Sequence, residues 1–121
     1  MKIARLTFMA TAFLLSACAS APPSHIQQYM VRQQIEECWN VPKSAQLPPV
    51  EVTLDLDRNG AVKNIEIVDK HSYASDPAFR AVADSLAVAA HNPRCPIRGL
   101  NTDSYSQWKH IDLTFDPRDM L

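Results

Sequence analysis

The sequence predicts an α+β fold: a three-stranded antiparallel sheet with two helices packed on one face, in the order α-β-β-α-β. Three patterns carry this expectation. Val50–Asp57 alternates apolar and polar residues and leads through Asn59-Gly60 into a second apolar-rich run, the signature of a β-hairpin. Phe79, Val82, Ala83, Leu86 and Ala90 recur at helical spacing, so that segment has one face to lay on the sheet. From Tyr105 to Phe115 the odd positions include Tyr105, Ile111, Leu113 and Phe115. The even ones are Ser106, Trp108, His110, Asp112 and Thr114, again the period of a half-buried strand.

At 121 residues the chain holds at most one domain, and its first segment reads as an address rather than as structure. Lys2 and Arg5 form a basic start, Leu6–Leu15 is apolar but too short for a permanent span, and Leu15-Ser16-Ala17-Cys18 follows. Residues 1–17 therefore read as a bacterial lipoprotein signal peptide, with Cys18 as the acylated residue and new N-terminus. The competing readings are an ordinary export signal with a chance cysteine, or a buried helix. Several acyl chains at about 0.8 kcal/mol per buried CH₂ make a lasting anchor. Ala19, rather than Asp, after the cysteine points to the outer membrane. The expected location is the periplasmic side of the envelope, lipid-anchored.

Residues 18–24 are a short lipid-anchored tether, and residues 25–121 form the domain. Ser24 can cap a helix running to about Glu37 or Cys38, with Ile26, Met30, Ile35 and Cys38 on one face. Pro42 ends it by pushing Val41 into extended geometry. Lys43–Pro49 is a connector. In the first hairpin strand Val50, Val52, Leu54 and Leu56 face inward. Asn59 and Gly60 both tolerate positive φ at the tip. The returning strand, Ala61–Asp69, changes parity between Val62 and Ile65, which implies a bulge or a frayed start. Asp76 serves as N-cap and Pro77 as first-turn residue of the second helix, which Asn92-Pro93 ends. A right-handed crossover then lays the final strand beside the first. Pro117 stops that strand, having no N–H to donate.

Loss of Lys2 and Arg5 with the signal leaves ten basic residues against thirteen acidic ones, a net charge of −3. A mildly acidic domain without a basic stripe argues against nucleic acid as a partner. With Cys18 assigned to lipid, Cys38 and Cys95 remain as an even pair in an oxidising compartment, where a disulfide is the natural reading and two buried thiols the rival. The bridge would tie the end of the first helix to the end of the second. Two cysteines without a nearby histidine pair do not complete a tetrahedral metal site.

The helix, the CWNVP turn, VEVTLDLDRNG, SDPAFRAVADSLAVAA and YSQWKHIDLTFDPRDML together resemble the C-terminal domain of TolA in its alphaproteobacterial form, and more distantly that of TonB. The resemblance spans about residues 25–121, and the two cysteines match the family's disulfide. It implies a periplasmic protein-binding module without chemistry of its own. Expected partners are periplasmic or outer-membrane proteins such as TolB and Pal, with sheet-edge pairing as a recurrent mode. TolA itself has a transmembrane anchor and a long helical spacer, and here a lipid cysteine and a few tether residues stand instead.

The expected partner surface is the open edge of the final strand, with Ser106, Trp108, Lys109, His110 and Asp112 as its residues. Parity places Trp108 opposite Ile111, Leu113 and Phe115, where an aromatic anchors a partner. The competing reading is a bulge near Lys109, or cover from the Trp39–Pro49 connector, that takes Trp108 inward. No catalytic residue, metal or cofactor is expected. The alternative function is a small lipid-anchored hydrolase using His71 and Asp76, or a calcium-binding protein using Asp55–Glu66, which satisfies D-x-[DN]-x-[DN]-G-x5-E. The flanks of that loop read as strands, whereas a calcium loop of this type sits between helices. His25, His71, His91 and His110 follow no metal-ligand spacing, and no Gly-rich nucleophile elbow is present.

Overall fold

A computed structural model describes residues 25–43 and 46–120. Cys18, the tether and the Ser24 cap lie outside the described residues. The elements are α1 (His25–Glu37), β1 (Val50–Leu56), β2 (Val62–Ile67), α2 (Lys70–Ser75), α3 (Pro77–Ala90), α4 (Tyr105–Trp108) and β3 (His110–Phe115). The three strands form one antiparallel sheet in the order β2-β1-β3. The crossover thus brings the third strand to the outer side of the first.

β1 is the spine of the core. Val50, Val52, Leu54 and Leu56 are all buried, and three of them stand opposite Phe115, Leu113 and Ile111 of β3. On the other flank Leu54 faces Ile65 and Val52 faces Ile67. Because the side-chain period is two, these residues share one face, and α1 and α3 cover it. The predicted stripe of α3 is all buried (Phe79, Val82, Ala83, Leu86 and Ala90), and Ala89 joins it. The Asp76 carboxylate accepts the N–H groups of Ala78 and Phe79, with Pro77 directly after it. Trp39 completes the core edge-on to Phe115, centroids 5.9 Å apart, and its indole N–H donates to Ser85 Oγ at 2.8 Å.

The hairpin keeps its position and changes its turn. Within the turn Gly60 has positive φ, at +86°, and Asn59 does not. Gly60 N–H donates to Asp57 O, while Asp57 N–H donates to Ala61 O. This is a three-residue loop, Arg58-Asn59-Gly60, in which the glycine supplies the left-handed step. A Cβ there would lie 2.3 Å from Ile97 O, so the position is closed to side chains for a second reason. The parity slip is a bulge. Asp55 pairs with Asn64 and Leu56 with Val62, leaving Lys63 as the extra residue.

Three expectations are corrected. Ile26 is 71% exposed, and the buried stripe of α1 is Val31 and Ile35. α2, capped by Asp69 onto Ser72, precedes the second predicted helix. Tyr105–Trp108 is helical, so the final strand begins only at His110. The Asn101 side chain caps the 3-10 turn Thr102–Ser104 through Asp103 N–H, and α4 continues from it. Trp108 is fully buried, stacks edge-on against Tyr105 and donates its indole N–H to Asn101 O at 2.7 Å. The inward reading of Trp108 holds, through a helical turn rather than a bulge.

Cys38 and Cys95 are disulfide-bonded, with Cα atoms 6.3 Å apart. Gln34 clamps the same region by accepting Arg98 N–H at 2.7 Å and donating to Arg98 O at 2.9 Å. The loop after α3 is thereby fixed to α1.

Surface carboxylates give the fold an acid limit. Asp69 is held below its ordinary value of 3.8, first by the Ser72 hydroxyl and then by Ser72 N–H. Asp116 is lowered by the Arg118 guanidinium and then by its backbone N–H. A native pKa below the unfolded one stabilises fully above the unfolded value, and that stabilisation fades as pH falls through the native value. The urea midpoint should therefore drop from about pH 5 toward about pH 2. The double variant Asp69→Asn, Asp116→Asn should flatten that drop. Glu36 has the opposite sign, because burial raises its pKa, aided by Asp119 and opposed by Arg32.

Candidate functional site: the rim of the last strand

The phase of the ladder decides which backbone groups of β3 are spoken for. Leu56 N–H donates to Lys109 O at 2.9 Å, and residue pairs that exchange hydrogen bonds alternate with pairs that do not. In the observed register Ile111, Leu113 and Phe115 therefore turn their N–H and C=O toward β1. His110, Asp112 and Thr114 turn theirs to the outer rim. Among the described residues no strand or backbone hydrogen bond covers that rim.

The same three residues put their side chains on the sheet face away from the helices, and all three are exposed. They end three cross-strand rows on that face: Asn64–Asp55–His110, Glu66–Thr53–Asp112, and Val68–Glu51–Thr114. His110 Nδ1 contacts Asp55 Oδ1, and Thr53 Oγ1 donates to Asp112 Oδ1 at 2.7 Å. Glu66 pairs with Lys70 at 3.1 Å. Glu51, Asp55, Glu66 and Asp112 make the face acidic, and a strand added to the rim would lay alternate side chains beside it.

The β2 edge is a poorer template. Lys63 bulges from it, and α2 follows within three residues of its end. Bulges and lysines are common guards against unwanted pairing. β3 runs its six residues in regular register.

Of the expected partner residues, the structure groups His110 and Asp112 on the rim and shows Thr114 to be the third member. Lys109 is exposed and its C=O belongs to the ladder with Leu56. Ser106 is exposed but sits in α4, so its N–H is not a rim donor. Trp108 is fully buried and offers no surface to a partner, because Tyr105 and Asn101 enclose it. Thr114 was legible from the same alternation that marked His110 and Asp112.

The acids of the calcium-type pattern are separately engaged. Asp55 meets His110, Asp57 Oδ1 accepts the N–H groups of Asn59 and Ala61, and Glu66 meets Lys70. Among the described residues no group of three or more His, Cys, Asp or Glu could hold a metal ion. The Asp76 carboxylate caps α3, and His71 on α2 accepts the Ser75 hydroxyl through its backbone oxygen. No described helix is long and apolar enough to cross a membrane.

Neither a family model, nor a curated protein, nor a solved structure matches the chain.

Proposed function

We propose that this chain is a TolA-like binding module on the periplasmic side of the bacterial envelope, tethered by lipid at Cys18 and without catalytic activity. It takes up an extended segment of a periplasmic or outer-membrane partner along the β3 rim and so supports envelope integrity. The observation that carries the reading is the uncovered row of backbone groups at His110, Asp112 and Thr114. Backbone pairing of this kind supplies affinity, and side chains beside the rim supply selectivity. The acidic rows favour a partner segment with Lys or Arg at alternate positions.

Proline at an outward position removes a rim donor and leaves the ladder with β1 intact, since Asp112 N–H does not bond to β1. Asp112→Pro and Thr114→Pro should each abolish crosslinking from a photoreactive residue at His110 in the intact envelope. Thermal melting of each variant checks that the fold survives. Wild-type crosslinking by both folded variants would remove the rim from consideration. Proline at Ser106 reports nothing on the rim, because that residue lies in α4.

A further inference from the structure

α1 shows solvent a side whose character changes along its length. His25, Ile26 and Tyr29 are exposed in its first turns, Ile26 at 71% and Tyr29 at 54%, and Gln33 and Glu37 are exposed further on. Spacings of three and four place Ile26, Tyr29 and Gln33 side by side. Among the described residues an exposed isoleucine–tyrosine pair thus occupies the N-terminal end of the helix, and polar residues occupy the far end. One cation is reached from the apolar end through a short chain of contacts. Gln27 bonds to Ser104, and Arg58 lies 4.6 Å from the ring centroid of the adjacent Tyr105. Arg98 lies by the polar half of the helix instead, its backbone held by Gln34. Neither arginine has a carboxylate partner among the described ion pairs, and Asp103 is the one acid in loop 97–104.

We infer that the first two turns of α1 rest on the lipid surface to which Cys18 is tethered, with Ile26 and Tyr29 at headgroup depth and Arg58 toward anionic headgroups. The inference rests on the acylation of Cys18 proposed above. Eight residue steps lead from Cys18 to Ile26, at most about 29 Å of fully extended chain. The patch therefore never leaves the neighbourhood of the bilayer. Two side chains alone would bind a bilayer weakly, but a short tether replaces bulk encounter with a high effective concentration. Isoleucine buries in the acyl boundary, and tyrosine favours the interface because its ring is apolar and its hydroxyl polar.

The test uses chain purified from the membranes of the cells that make it, with mass spectrometry of the N-terminal peptide to establish acylation. It is reconstituted into phosphatidylethanolamine–phosphatidylglycerol vesicles, with and without brominated acyl chains. In Tyr29→Trp the added indole should lose about half its emission to bromine, as expected at headgroup depth. Glu37→Trp, on the same helix, should show only the background of Trp39 and Trp108. Adding Ile26→Asn to Tyr29→Trp should reduce the quenching. Acylated, vesicle-bound protein with equal quenching at both positions, or none at either, overturns the inference and leaves the anchor standing. A blue-shifted but unquenched Tyr29→Trp overturns it too, by showing protein over the patch. Unmodified Cys18 overturns the anchor and this inference together.

Discussion

Replacing Trp108 with alanine should cost about 3–5 kcal/mol of unfolding free energy, the range for emptying a buried aromatic site. The indole is fully enclosed, meets Tyr105 edge-on at 4.8 Å and satisfies Asn101 O. Its loss also loosens Tyr105, whose hydroxyl donates to Leu56 O at 2.6 Å and so joins α4 to the end of β1. Trp108→Phe keeps an aromatic ring but loses the N–H and the space of the second ring, so it should cost about 1–3 kcal/mol. Equilibrium urea unfolding of both variants makes the comparison. A cost below that of an ordinary surface substitution in Trp108→Ala would contradict the buried placement.

The second large effect belongs to the disulfide. The double variant Cys38→Ala, Cys95→Ala should lose about 4 kcal/mol in the chain-entropy account, because the bridge closes a separation of 57 residues in the unfolded chain. Changing both cysteines together leaves no free thiol to mispair. The Gln34–Arg98 bonds persist in the variant and hold the loop to α1, so the native register should survive in folded protein. Guanidinium unfolding supplies the energy, and amide exchange across β1 and β3 reports the register. A loss below about 1 kcal/mol would mean that the unfolded chain is not constrained by the bridge.

Much of this architecture was legible where a local rule coincided with the global packing. Val50 to Leu56 alternates without a fault, and the strand is buried on one face for its whole length. Asp76-Pro77 marks the start of α3 because an acceptor and a preset φ are needed there and almost nowhere else. The bulge at Lys63 showed itself as a slip of parity. The rim residues His110 and Asp112 followed from the same period of two.

The misses have physical causes. The alternation read from Tyr105 depended on positions 105 and 111–115, while Gln107 and Lys109 already broke it. The capping chemistry of Asn101 with Asp103 won that segment for a helical turn, which rotates Trp108 inward. α2 spans six residues, too few for periodicity to appear. On α1 two stripes were available, and the choice of Val31 and Ile35 is made by β3 and α3, which pack against it from distant parts of the chain. Asn59-Gly60 located the turn, but three-residue geometry needs only the glycine to be left-handed.

The middle position of β1 sets a timetable for the newborn polypeptide. One neighbour, β2, arrives within a dozen residues, but the other is the last strand made, and Val50 waits for Phe115. A hairpin alone is at best marginally stable in water. A chain whose last segment has yet to arrive therefore lacks half the support of its central strand. The central strand gains its second neighbour only when the segment reaching Phe115 is free to pair with it.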